Sequence, residues 1–371
     1  HAFGADLLPG VGTSSTREGR RTVRAFSFGL LGGYSGGVTG FSFATVVDIQ
    51  RESLCGLQIS SVANIVGGGS RGLQFSLVNY VGQDSRGATL GLLNYVGGEQ
   101  RGLAFGLANI TLDGALGLSA GLLNFTHGSV GGASLGLASV ATADMHGAQL
   151  GIANVAAGEV LGAQLGLLNV AGRSASGLQA GLLNVARGKM RGLQLGLVNY
   201  SRQGQVPIGL ISIVRKGRTD LDLWGSESGL VLAGVRHGGK HVHNLYYLGS
   251  RVGEHGARVA GSLGIGVRAL ERGRYRLDID TISTFMYRMH AETVSFQPGV
   301  RVPLTVMLNS WLGLMVAPSY QFYFNPDRGE RSQASIGVSK LKTTGKMHIE
   351  SFPGVTAGLR FELPSSLPRA R

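Results

Sequence analysis

The sequence predicts an all-β protein in two parts, a parallel β-solenoid of about thirteen fifteen-residue coils followed by an antiparallel, eight-stranded β-barrel. Three observations carry that prediction. Glycine recurs every fifteen residues, at Gly72, Gly87, Gly102, Gly117, Gly132, Gly147, Gly162, Gly177 and Gly192. Inside each copy apolar residues fall at every second position, which is the period of a strand. Beyond residue 216 the repeat gives way to longer alternating segments with more aromatics.

Residues 1–24 form a basic N-terminal segment with Arg17, Arg20, Arg21 and Arg24. A chain that starts at His1 rather than Met fits one whose signal peptide has been removed. The repeats then run from 25 to 216. Ala25, Gly40 and Gly56 begin the early copies, and Gln205 begins a shortened last one. Gly192 to Tyr200, Gly-Leu-Gln-Leu-Gly-Leu-Val-Asn-Tyr, shows the pattern most clearly: Leu193, Leu195 and Leu197 at positions two, four and six, and Asn at position eight. Nine copies carry that Asn, as Asn64, Asn79, Asn94, Asn109, Asn124, Asn154, Asn169, Asn184 and Asn199.

Antiparallel staves would alternate their connections and double the repeat to about thirty residues. The connectors at 96–101, 111–116 and 186–191 show no such alternation, so every copy is equivalent, as stacked parallel coils require. In that geometry the leucines are expected to stack into an apolar core, and the asparagines to form an internal ladder of amides. Gln58, Gln74, Gln149, Gln164, Gln179 and Gln194, at position three, are expected to face outward. The rival reading is one wide antiparallel outer-membrane barrel built from the repeats and the C-terminal strands. It would aim at lipid an Asn that shares its parity with three leucines.

Residues 217–363 are expected to form the antiparallel barrel, with strands near 220–225, 229–236, 243–251, 257–269, 273–288, 294–308, 311–325 and 352–363, and a further segment at 333–342. Residues 364–371 are a tail. Arg274, Arg276, Asp278 and Asp280 share one strand face, while Tyr275, Leu277, Ile279 and Thr281 share the other. An apolar outer face with a charged inner face marks a membrane barrel, whose lumen holds Arg–Asp pairs. Tyr246, Tyr247, Tyr287, Trp311, Tyr320, Phe322 and Phe324 are candidates for its aromatic girdle. A soluble sandwich or lipocalin-like barrel would turn the apolar face inward instead.

Composition agrees with a β protein outside the cytosol. Glycine supplies 62 of 371 residues, against an average share of about 7%. No apolar run is long enough for a transmembrane helix. Cys55 is the single cysteine, which excludes intrachain disulfides and thiol-pair chemistry. The net charge of +13 is mainly Arg. Arg71, Arg86 and Arg101 occupy one position in successive copies, a row suited to anionic lipid, lipopolysaccharide or polysaccharide, or simply to keeping a Leu-rich rod in solution. No base-stacking aromatic pattern accompanies them, so nucleic acid is not an expected partner.

The segment Leu30 to Val38, the run of Gly-Leu-Gln-x-Gly-Leu-x-Asn copies, and the ending Gly354 to Phe361 together resemble bacterial surface-repeat proteins of Gram-negative outer membranes. The resemblance spans about 25 to 363. It implies export and an outer-membrane or cell-surface location, and it implies no enzymatic activity.

Little in the chain points to chemistry. His237, His241 and His243 are candidate ligands for Zn²⁺ or Ni²⁺ if a hairpin brings three imidazoles together. Gly234 to Lys240 matches the start of a phosphate-binding loop, but His241 stands where Ser or Thr is required. Asp278 and Asp280 are better paired with arginines than read as catalytic. No cofactor is expected. Two function classes follow: a surface structural or interaction protein whose repeats meet a partner or another copy, and a passive outer-membrane channel.

Overall fold

The computed structural model describes residues 3–253, 256–288, 293–326, 340–344 and 347–363. The chain is all-β, a parallel solenoid of about thirteen turns and a closed eight-stranded antiparallel barrel. It divides into two compact units, His1–Gly188 and Lys189–Arg371, so the last copies belong with the barrel rather than with the other coils.

In the first unit successive copies pair in parallel and in register. Arg101 lies beside Arg86 on one side and Leu116 on the other, and Asn94 lies between Asn79 and Asn109. A typical coil has a seven-residue strand, Glu99–Phe105, and a four-residue strand, Ala108–Thr111. Gly102, at position one, turns the first strand with a φ of 124°. Chain direction changes again at positions five and six, and at eleven and twelve.

These bends correct the expected core. Positions two, four and six point outward, position three points inward, and positions eight and ten point inward too. A strict alternation would have kept two, four, six and eight on one face. The bend at Gly-Leu in positions five and six shifts the phase, because the alternation of a strand holds only while the strand continues. The interior of each coil therefore holds Gln or a small residue at three, Asn at eight, Val, Thr or Ala at ten, and residues such as Leu54, Ser85 and Met145 at fourteen. The leucines form the outside.

The glycine at position one has two reasons to be glycine. Gly117 has a φ of 130°, where L side chains are strained. A Cβ there would also collide with the carbonyl oxygen of Gly102, one coil back. The N-terminal segment caps this stack. Phe3–Leu8 pairs in parallel with Val23–Gly29, and Val11–Gly12 folds back on it, covering an edge that would otherwise offer open backbone groups. Arg24, from the basic N-terminal segment, is buried, donating to the carbonyls of Gly19 at 2.9 Å and Tyr34 at 3.2 Å.

In the second unit the staves are Arg218–Ser226, Leu230–Gly238, Val242–Gly253, Gly256–Arg272, Tyr275–Arg288, Thr293–Arg301 with Leu304–Met307, Leu312–Asn325 and Met347–Glu362. Each pairs antiparallel with the next, and the eighth closes on the first with Phe361 opposite Leu221. Lys340–Thr344 adds a short hairpin strand to the eighth stave. The extra strand expected at 333–342 lies mostly outside the described residues.

Candidate functional site: amide ladders, apolar walls and a charged lumen

The asparagines at position eight stack into a ladder. Asn94 Nδ2 donates to Asn109 Oδ1 at 2.8 Å and to the carbonyl of Phe105, on the next coil, at 2.8 Å. Asn64, Asn79 and Asn109 repeat both bonds with Asn79, Asn94 and Asn124. Asn154, Asn169 and Asn184 form a second run, joined at 2.9 Å and 2.8 Å. Each amide thus spends both N–H donors tying its coil to the next, which satisfies groups that would be costly to bury unpaired. Asn199 lies in the second unit and donates to the carbonyl of Ile208 at 2.9 Å.

Glutamine adds a parallel ladder: Gln164 donates to Gln149 at 2.8 Å, and Gln179 to Gln164 at 2.7 Å. Between the two asparagine runs the ladder position is Ser139, which accepts from Ser134 at 3.0 Å. A serine is too short to reach the next coil, and Asn154 Oδ1 is accordingly buried without a partner. These amides are structural; nothing among them is placed to act on a substrate.

Outside the ladder, the coils present apolar rows. Leu107, Leu122 and Leu137, at position six, are each 51% exposed. Phe75, Phe105 and Leu135 extend the wall on one side of that corner. Tyr80 and Tyr95 stack on the other, with ring centroids 5.1 Å apart. Arg71, Arg86 and Arg101 border the wall, in register and exposed. Arg101 pairs with Glu99 at 2.6 Å, whereas among the described residues Arg71 and Arg86 have no ion-pair partner.

The barrel shows the same inversion. Leu223, Val231, Val259, Phe285, Val316 and Phe322 point outward. Inside, Asp222, Asp278 and Asp280 meet Arg236, Arg301 and Arg360, and Asp220, Arg251, Arg258 and Glu350 are buried as well. Arg360 grips Asp222 with two bonds, 2.8 and 3.1 Å, and reaches Asp278 at 2.9 Å. Arg236 meets Asp278 at 2.5 Å, and Arg301 meets Asp280 at 3.1 Å. Tyr247 donates to Asp222 at 2.9 Å and accepts from Arg301 at 3.1 Å. Arg301 also lies 4.8 Å over the Trp224 ring. Forked guanidinium–carboxylate bonds of this kind suit a dry interior, where unpaired charge would be prohibitive.

This network was only partly anticipated. Asp278 and Asp280 were expected to face the lumen, but with Arg274 and Arg276 as partners. Their partners instead come from other staves, because residues two apart on one strand point the same way and do not converge as residues across a lumen do. Asp222, Arg236, Arg301 and Arg360 went unnoticed as a set, although each sits on the charged face of an alternating strand. Tyr247 belongs to the lumen as well, while Trp311, Tyr320 and Phe322 remain outside.

The three histidines do not meet. His243 points into the lumen, accepts from Arg236 at its Nδ1 at 3.1 Å, and donates from Nε2 to Asp280 at 2.9 Å. His237 points outward, accepting the Val214 N–H at 3.0 Å on Nε2 and bonding Thr219 Oγ1 at 2.8 Å through Nδ1. His241 is in the exposed turn between them. The expected metal cluster fails because strand alternation sends His237 and His243 to opposite sides of the wall, and both rings have their nitrogens engaged. Among the described residues no group of three His, Cys, Asp or Glu could hold a metal ion.

Two open grooves, about 710 and 590 Å³, lie on the barrel's outer wall. Leu210, Leu263, Phe285 and Phe322 line the larger, and Val235, Leu248 and Phe285 the smaller. The larger exists because the shortened last copy packs on that wall, with Asn244 donating to the Gly209 carbonyl at 2.5 Å and Tyr246 to that of Leu210 at 2.7 Å. In the lumen, by contrast, the space beside Trp224, Ser226 and Gln297 is about 20 Å³, room for about one water. Comparison of the chain with protein-family models, curated proteins and solved structures found no match.

Proposed function

We propose that the chain is a non-enzymatic surface protein of a Gram-negative outer membrane, anchored by its barrel and displaying the repeat array as a scaffold for a partner or for another copy. The observation that carries this reading is the inverted barrel. Its wall is apolar outside and its lumen is filled by the Asp222–Arg360–Asp278–Arg236 network. In water such a barrel would expose leucine and phenylalanine while burying aspartate and arginine side chains. In a bilayer the same pattern is the stable one. The resemblance of the repeats to outer-membrane surface-repeat proteins points the same way.

The other reading, a passive channel, needs an open lumen, whereas among the described residues arginine, tyrosine and tryptophan side chains occupy this one. Purified chain reconstituted into liposomes separates the two. The anchor reading expects a heat-modifiable band on unboiled gels and no conductance above that of empty liposomes. Failure to insert would overturn the anchor, and steady ion conductance would favour the channel.

A further inference from the structure

We propose that the outer wall of the first unit is itself a lipid-binding surface, taking the acyl chains of a phospholipid layer while the bordering arginine row receives head-group phosphates. This goes beyond the barrel anchor and stands on separate observations. The coils bury amides at positions three and eight and present leucine and aromatic side chains outward. A soluble solenoid does the reverse, and a contiguous apolar surface of this extent on a soluble protein marks a contact.

The form of the wall selects its occupant. The apolar rows cover two sides of the coil and the convex corner between them, where Leu107, Leu122 and Leu137 project. A second copy is rigid and can cover one such side; acyl chains are fluid and can follow both sides and the corner. Charge agrees. Arg71, Arg86 and Arg101 directly abut the wall, separated from Leu73, Ala88 and Leu103 at position two only by the glycine column. Like charges in register repel, and forked guanidinium–phosphate contacts would relieve that repulsion. Glu99 pairs with Arg101 at 2.6 Å, so Arg71 and Arg86 are the arginines open to phosphate, while Asp84 and Asp113 lie on the polar edge at positions thirteen and twelve.

The test uses the full chain in phosphatidylethanolamine–phosphatidylglycerol vesicles, with Cys55→Ser as background and one nitroxide label at a time, on Leu122→Cys, Asp113→Cys or Val316→Cys. Leu122 samples the repeat wall, Asp113 its polar edge and Val316 the barrel wall. Expected is an oxygen-to-nickel-chelate accessibility ratio several-fold higher at 122 than at 113. A ratio at 122 equal to that at 113 would overturn the proposal. So would dipolar broadening at 122 in detergent, which would show a second copy on the wall. The label at 316 reports on the barrel anchor alone, so the two readings fail separately. Replacing Arg71, Arg86 and Arg101 together with Gln is expected to move label 122 measurably in depth; an unchanged depth would remove the arginine row from the contact.

Discussion

Asp48 occupies the ladder position one coil before Asn64, and the two meet in register as Cα partners. Asp48 Oδ2 and Asn64 Oδ1 are both buried with no hydrogen-bond partner. Every other coil from Asn64 to Asn124 supplies an amide donor at this point; an ionised aspartate supplies none. Burial, followed by the nearby Asp6 charge and opposed by hydrogen bonds from Ser42, Gln58 and Gln50, pushes the Asp48 carboxyl up to about 6. Protonated, it can donate as an asparagine would.

That relationship gives a signed pH dependence. A carboxyl whose pKa is higher in the folded state holds its proton there while the unfolded chain has released it. Stability from this group is therefore greatest below the unfolded value and declines as pH rises from 3.8 to about 6. The loss is at most about 3 kcal/mol. Asp48→Asn should slow amide exchange across residues 40–66 at pH 7.5, with the difference from the parent chain shrinking toward pH 4. An equal exchange rate at pH 7.5 would contradict this account.

The ladder predicts opposite effects at two of its positions. Asn109→Leu strips the Asn94 amide and the Asn124 oxygen of partners, along with the carbonyl of Ala120, and should cost roughly 3 kcal/mol. Ser139→Asn should bridge the gap between the two runs by donating to the orphaned Asn154 Oδ1, gaining about 1 kcal/mol. The copy with Ser119 at position three and Asn124 at eight already accommodates the pair that results. Urea unfolding followed by a probe within the first unit checks both.

The glycine column should be intolerant where the array turns. Gly117→Ala combines a φ of 130° with a backbone collision and should destabilise by more than about 2 kcal/mol. Gly69, whose Cβ would only touch the Asp84 carbonyl at 3.4 Å, should accept alanine with little change. Thermal unfolding of the two variants side by side tests the geometry of the turn rather than glycine content as such.

In the barrel, Arg360→Met removes the guanidinium shared by Asp222 and Asp278 and leaves two buried carboxylates short of a partner. A loss of about 3–5 kcal/mol is expected, seen as a lower temperature for the heat-modified band. Arg274→Met, on the same charged strand face but outside this network, should shift that temperature much less.

Much of this was legible in the residues. The fifteen-residue period pointed to parallel coils over a wide antiparallel barrel because its connectors do not alternate, and the recurring Asn pointed to a ladder. The eight staves followed from alternation in segments such as Val355 to Glu362, where Thr356 and Arg360 face in and Leu359 and Phe361 face the other way. What stayed hidden was which side of the coil is the inside. Leu193, Leu195 and Leu197 share parity with Asn199, and only the bend between them, invisible to a period-two count, sends them to opposite sides. The histidines misled for a related reason, since nearness in sequence does not survive a strand's alternation. Lumen pairs such as Asp222 with Arg360 are 138 residues apart and become neighbours only when the sheet closes.

The central claim is that the coils carry their amides inside and their leucines outside, and side-chain amide exchange in the intact chain tests it most directly. NMR of selectively labelled asparagine should find the Nδ2 protons of Asn79, Asn94 and Asn109 protected for far longer than those of a free amide. Exchange of those protons at the rate of exposed asparagine would contradict the inverted coil and return the leucines to the core.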